Sequence, residues 1–292
     1  MVLAAGLGTR LRPLTDHCAK SLVPVGDRPM LAHVLDRLLT AGASRIVVNA
    51  HHRLHEMADF LRSRPRVRLS EERELLGTAG GVARAAELLG QGDVLVWNAD
   101  VLADVDLQAL LQSHAQQTDE PREATLVVQR RGRGEGNVGT DEKERIVRIR
   151  QERVADEAFG GDFLGIHVLG AALRARLPLR GCLVGDVYIP ILRKGAALRA
   201  FVHSGSFFDV GSLDRYLEAN LDWLEARGAV HWAGAGTHVE PGVTLSYALV
   251  GEGAQVRGSG SLARCVVWPG ATATAPLRDA VVAQSGIVLL SR

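Results

Sequence analysis

Leu3-Ala4-Ala5-Gly6-Leu7-Gly8-Thr9-Arg10-Leu11-Arg12-Pro13-Leu14-Thr15, continued by Lys20-Ser21-Leu22-Val23-Pro24-Val25, decides how this chain is read. A short apolar strand ends in Ala-Ala-Gly-x-Gly, where the backbone can turn tightly and the missing side chains let amides approach an anion. Arg10 and Arg12 add permanently charged, forked donors, and Lys20 adds a compact cation on a flexible stem. Bare amides with three cations suit a triphosphate.

A lone Gly-x-Gly is more often a plain tight turn than a ligand site. Two commoner phosphate loops do not fit: no Gly-x-x-x-x-Gly-Lys-Ser/Thr occurs, and the third glycine of a dinucleotide fingerprint would fall on Leu11. The whole string, with Lys20 at its distance from Arg10 and Leu-x-Pro-Val behind it, resembles the signature of the sugar-1-phosphate nucleotidyltransferases. That resemblance implies nucleotide contacts from Leu3, Ala5, Gly6, Gly8, Thr9 and Arg10, with Arg10 and Lys20 among the catalytic residues.

The chain has 292 residues, enough for one large core with a smaller satellite. Its 47% hydrophobic and 23% charged residues are ordinary globular composition. With 34 basic and 33 acidic residues the net charge is +1, which gives no global electrostatic reason to bind nucleic acid or a membrane. Cys18, Cys182 and Cys265 are few and far apart, so no disulfide framework is expected and a cytoplasmic setting fits. Met1 leads straight into the glycine-rich stretch with no basic segment before it, and no export signal or spanning helix is expected.

Helical spacing of Met30, Leu31, Val34, Leu35, Leu38 and Leu39, stopped by Gly42, followed by an apolar strand at residues 45–49, gives a parallel strand-helix-strand unit. His51 and His55 are four apart and could share a helical face as zinc ligands do, but a solvated helix start is the commoner meaning. A strand at residues 67–69 precedes Leu76-Gly77-Thr78-Ala79-Gly80-Gly81. Its free amides and small residues could receive the edge of a base; a simple helix start is the alternative. The resemblance to the family's Leu-Gly-Thr-Ala-Gly segment implies base recognition by Gly77 and Thr78.

Val94 to Asn98 is an apolar strand running into Asp100, and ligands of open parallel sheets collect at such carboxyl ends. Asp100 is therefore either a metal ligand or a surface acid at a strand end. A helix is expected over residues 104–117, a strand over 124–128 and a basic loop over 130–139, where Arg130, Arg131 and Arg133 read more readily as solvated than as a polyanion footprint. Phe207-Phe208-Asp209-Val210-Gly211-Ser212 is a strand, a turn and a helix cap ahead of Leu213, Leu217, Leu221 and Leu224.

By resemblance, Asp100 is catalytic and pairs with Asp209 on one magnesium (manganese as the alternative ion), while Asn98, Gly139, Glu152, Arg153 and Gly165 face the sugar phosphate. The family carries Glu-Lys-Pro where this chain has Glu152-Arg153-Val154, an exchange of a point charge for a fork at a phosphate contact. From Gly236 onward, apolar residues recur near every sixth position between Pro-Gly and Gly corners. That pattern indicates a short left-handed parallel β-helix, with irregular hairpins as the rival.

The expected architecture is an α/β, Rossmann-like three-layer nucleotidyltransferase domain with a mostly parallel mixed sheet over residues 1–232, plus the β-helix tail over 233–292. The implied reaction joins a nucleoside triphosphate to a sugar 1-phosphate with release of pyrophosphate. Guanylyl transfer to mannose or heptose 1-phosphate is the first expectation, uridylyl transfer to glucose 1-phosphate or an amino-sugar 1-phosphate the second. A catalytically silent nucleotide-sugar-binding regulatory subunit is the alternative of another class. Relatives with such a tail use it for subunit contacts, so a homo-oligomer is expected, its seam at the open end Val288-Leu289-Leu290.

Overall fold

The structure is a computed structural model that describes residues 1–118, 121–284, 286 and 288–290, the last three by their backbone alone. By the density of its internal contacts the chain divides into two compact units: residues 1–7 with 34–207, and residues 8–33 with 208–292.

The first unit is built on a mixed ten-stranded sheet. Val2–Leu3 lies between Ile46–Ala50 and Val94–Asn98, parallel to both, and Val67–Glu71 continues the parallel part beyond Ile46–Ala50. Consecutive apolar residues suit such strands because both faces are covered, and Ile46–Ala50 is buried at every position. Phe159–Leu169 runs antiparallel beside Val94–Asn98, and Ala124–Arg131 pairs with it before Leu198–His203 closes that edge in parallel. The near end of Phe159–Leu169 also pairs with Val138–Thr140, which leads to Ile146–Ile149 and Glu152–Arg153. Val47, Val96, Leu126, Val128, Val138 and Tyr188 are among the residues of the core behind these strands.

Two expected boundaries shift. The helix expected over 104–117 is Leu107–Ala115, because the Asp106 carboxylate accepts the Ala109 N–H at 2.9 Å and fixes the start there. The basic loop is shorter than residues 130–139: Ala124–Arg131 extends into it and Val138–Thr140 leaves it as a strand. Arg130 pairs with Glu144, and Arg131 with Asp162 at 2.8 Å, so these cations are spent on local acids.

The second unit joins residues 8–33 to the helix Leu213–Glu225 and the tail. Gly26 N–H donates to Asn220 Oδ1 at 2.9 Å. A Cβ on Gly26 would fall 2.2 Å from the Trp223 indole, so only glycine lets the turn lie on that helix. In the tail Val243–Val250, Gln255–Val267 and Thr272–Val282 stack in parallel. Ala248, Cys265 and Ala280 form one inward ladder, and Leu249, Val266 and Val281 form the next, all buried. These coils are the β-helix expected from the spacing, and Trp268 Nε1 ties them to the helix by donating to Tyr216 Oη at 2.9 Å. The segment expected at the open end, Val288–Leu290, pairs antiparallel with residues 280–282 and is the last strand of this sheet.

Candidate active site

Within the second unit the glycine turn is held by its own neighbours. Gly8 has φ +68°, and its carbonyl accepts the Thr15 hydroxyl at 2.9 Å and the Leu11 N–H at 3.0 Å. A Cβ on Gly8 would stand 2.8 Å from Thr15 Cγ2 and 2.9 Å from Lys20 Cβ. Glycine is required there twice over, by its left-handed backbone and because the stem of Lys20 lies against it. Leu11 and Leu14 are wholly buried and anchor the turn, while Thr9 and Arg10 stay exposed. Arg12 pairs with Asp16 at 3.2 Å on the surface.

Asp209 ends the strand Phe207–Asp209 with an exposed side chain, and Ser212 caps the next helix by accepting the Arg215 N–H. Gly211 between them is buried. A Cβ there would lie 3.0 Å from Asp209 Oδ1 and 3.1 Å from Arg10 Nη2. The guanidinium and the carboxylate thus converge on one glycine, although their residues are about 200 positions apart in the chain.

Within the first unit, Leu3 to Gly6 leave the strand Val2–Leu3, and a Cβ added to Gly6 would meet no non-neighbouring residue within 4 Å. The Ala4 N–H donates to Asn49 Oδ1 at 2.8 Å, and Asn49 Nδ2 donates to Glu72 Oε1 at 2.6 Å. Glu72 Oε2 accepts the Leu76 N–H at 3.2 Å, and both side chains are buried. Sequence reasoning missed this pair. Its only local signal is a glutamate four residues before Leu76, in a run of exposed acids.

Gly77 (φ +75°) opens the helix Gly77–Arg84, and Gly181 O would contact a Cβ there at 2.4 Å. Not all of the amides of this turn are free. Ala79 N–H donates to Gly181 O at 2.9 Å, and the Thr78 hydroxyl accepts the Leu183 N–H at 2.7 Å. The loop at residues 181–183 thus supplies an acceptor to one of the first helix donors, which have no intrahelical partner, and finds in Thr78 an acceptor for its own Leu183 N–H.

Asp100 sits, half-buried, in the turn that follows Val94–Asn98, a turn spanned by the bond from Trp97 Nε1 to Val101 O at 2.9 Å. Gly165 has φ +72° at an irregularity in Phe159–Leu169, and a Cβ there would meet Asn98 Nδ2 at 2.4 Å, so Asn98 and Gly165 are adjacent. Gly139 is buried in a strand, and a Cβ there would overlap Glu157 Oε2. Glu157 accepts from Arg148 Nε at 2.6 Å and Gly134 N–H at 2.5 Å. Burial pushes its carboxyl up, yet the bonds from Arg148 and Gly134 hold it below the ordinary carboxylate range. In this structure the glycine makes room for a neighbouring carboxylate.

Glu152 pairs with Arg193, whose hydrogen bond holds the carboxyl below its usual range. Arg153 donates to Ala155 O at 2.9 Å and Asp156 Oδ1 at 2.6 Å. Both side chains would have to leave these exposed partners to meet a ligand. His51 lies before the helix Leu54–Leu61, with its ring on Glu72 O at 2.9 Å, while His55 is exposed inside that helix. The two do not share a helical face. Among the described residues no three His, Cys, Asp or Glu side chains gather to hold a metal.

Residues 1–157 match the nucleotidyl transferase family, over more than half of the chain. The chain belongs to the nucleotidyl transferase family. A mannose-1-phosphate guanyltransferase of Aspergillus oryzae is 29% identical over 243 residues, covering 77% of this chain and 64% of that protein. An N-acetylmuramate alpha-1-phosphate uridylyltransferase of Caulobacter vibrioides is 46% identical over 107 residues, covering 34% of this chain and 44% of that protein. Among solved structures, HddC from Yersinia pseudotuberculosis, complexed with GMP-PN, has a TM-score of 0.63 at 20% identity, covering 76% of this nucleotidyl transferase and 97% of that chain, a likeness of fold.

Proposed function

We propose that this nucleotidyl transferase joins a nucleoside triphosphate to a sugar 1-phosphate, with a guanine nucleotide and mannose or heptose 1-phosphate as the favoured pair. The observation that carries the reading is the assembly of Gly8, Lys20, Arg10 and Asp209 within one compact unit. The sugar phosphate oxygen attacks the α-phosphorus in line and pyrophosphate leaves, so the main demands on the protein are positioning and the neutralising of charge. Arg10 and the amides of Gly6 to Thr9 take the leaving pyrophosphate, and Lys20 takes the α-phosphate. Leu3 and Ala5 flank the nucleoside, with Gly77 and Thr78 on its base. Asn98 and Gly165 face the sugar, and Gly139, Glu152 and Arg153 belong to the same half of the site.

Asp100 and Asp209 would hold magnesium. Both are oxygen donors with solvent access at strand ends, which suits a hard cation that completes its shell with water and substrate phosphate. When bound, the ion neutralises phosphate charge. Self-association through the tail and a reducing, cytoplasmic setting belong to the same proposal, the latter supported by three free thiols.

The second reading, a uridylyl enzyme, draws on the 46% identity over 107 residues to the Caulobacter vibrioides uridylyltransferase. Pyrophosphate release, measured for each of four nucleoside triphosphates against a panel of sugar 1-phosphates with magnesium, tests both. Turnover greatest with GTP supports the first reading and turnover greatest with UTP the second. No release with any pair overturns both in favour of a silent binding subunit.

A further inference from the structure

We infer that Asn49 and Glu72 are positioning residues that set the distance between two backbone segments on the nucleotide side: Leu3 to Gly6, and the turn that opens at Leu76. The inference rests on the proposed use of those segments to bind a nucleoside triphosphate. The chain of bonds runs from Ala4 N–H to Asn49 Oδ1, from Asn49 Nδ2 to Glu72 Oε1, and from Leu76 N–H to Glu72 Oε2. Ala4 directly precedes Ala5 and Gly6, and Leu76 directly precedes Gly77 and Thr78. Glu72 is also fixed through its own backbone, its N–H donating to Ala50 O at 2.8 Å and its carbonyl meeting His51 Nδ1.

Burial makes the arrangement exacting. Glu72 is 1% exposed and Asn49 2% exposed, so a broken bond leaves a polar atom without water. The space is shaped for the pair as well: a Cβ on Gly81 would lie 2.6 Å from Asn49 Nδ2 and 2.8 Å from Glu72 Oε1. Among the described residues no lysine or arginine bonds to this carboxylate, and its two oxygens act as paired acceptors between two donors.

This donor pattern provides a strict test. The outer groups, Ala4 N–H and Leu76 N–H, are both donors and need acceptors at both ends. Glu72→Gln places an amide NH2 against either Asn49 Nδ2 or Leu76 N–H, and Asn49→Asp sets two carboxylates face to face. The double variant Asn49→Asp with Glu72→Gln reverses the middle bond and satisfies both ends again, with the negative charge moved from residue 72 to residue 49.

The experiment measures KM for the nucleoside triphosphate, kcat, melting temperature and hydrogen–deuterium exchange at the Ala4 and Leu76 amides in the full chain. Each single variant is expected to raise KM at least tenfold with kcat changed less than threefold, and to speed exchange at both amides. The double variant is expected to return KM to within threefold of the parent and to restore protection. Single variants that match the parent overturn the inference. So does a folded double variant whose KM or exchange stays altered, because Glu72 then acts by its own charge. If the single variants do not fold, the double variant decides alone, and its failure to fold also overturns the inference. Should the parent turn over no triphosphate, the proposed function fails, while the exchange readout still tests the brace.

Discussion

Arg10 and Asp209 meet at Gly211, where a single added carbon would stand 3.1 Å from the guanidinium and 3.0 Å from the carboxylate. A cation and an anion are thereby set side by side at the foot of the helix Leu213–Glu225, on a residue that tolerates no side chain without moving one of them. Gly211→Ala should lower kcat/KM about tenfold, roughly 1.4 kcal/mol of transition-state stabilisation. The melting temperature should stay within about 2 °C, since the two side chains are flexible at their ends. Pyrophosphate release and a thermal melt on the same sample check this, and unchanged kcat/KM would show that the two groups do not act there.

Lys20 rests its stem on Gly8. Lys20→Ala should reduce kcat by more than it raises KM for the triphosphate, because the charge is needed most as the α-phosphorus is attacked. Gly8→Ala combines a disfavoured φ with contacts at 2.8 and 2.9 Å, and should cost about 1–3 kcal/mol of stability as well as activity. Steady-state kinetics and urea unfolding separate the two effects. A Lys20→Ala variant altered in KM alone would contradict the assigned role.

Asp100→Asn and Asp209→Ala should each abolish nearly all magnesium-dependent turnover and leave circular dichroism unchanged. Chelation of the parent should stop turnover, and added magnesium should restore it. Either variant retaining parental turnover would remove that carboxylate from the proposed metal site.

Acid should destabilise the protein through His167. Its ring is buried, stacked on Phe163 at 5.3 Å with Tyr188 edge-on at 5.7 Å, and burial pushes its pKa down to about 3. Below the ordinary value of 6.5 the unfolded chain takes up a proton that the folded chain refuses, so stability falls as pH drops from 6.5 towards 3. Each pH unit in that window costs about 1.4 kcal/mol. A His167→Phe variant should show a shallower decline in unfolding free energy between pH 6.5 and pH 4.5. Equal slopes in the two proteins would refute this.

Trp268 donates to Tyr216 across a buried contact between the tail and the helix Leu213–Glu225. Trp268→Phe removes the donor along with part of the packing, and should lower stability by about 1–3 kcal/mol in denaturant titrations. A loss under about 0.5 kcal/mol would mean that the ladder of buried tail residues holds the coils to the helix without this bond.

Local pattern carried much of the reading. The 3.6-residue spacing of Met30 to Leu39 gives the helix Met30–Thr40, apolar runs give Ile46–Ala50 and Val94–Asn98, and the six-residue recurrence after Gly236 gives the stacked coils. The Gly-x-Gly turn, its cations and the acids at strand ends were legible for the same reason: each is a feature of neighbours in sequence. The chain by itself could not reveal that residues 8–33 consort with residues 208–292, or that Gly26 is shaped by Trp223 and Gly211 by Arg10. Nor could it distinguish Glu72 from the acids around it, or show Glu157 filling the space beside Gly139. Burial and the pairing of polar groups depend on which distant segments pack together, and only the folded chain fixes that.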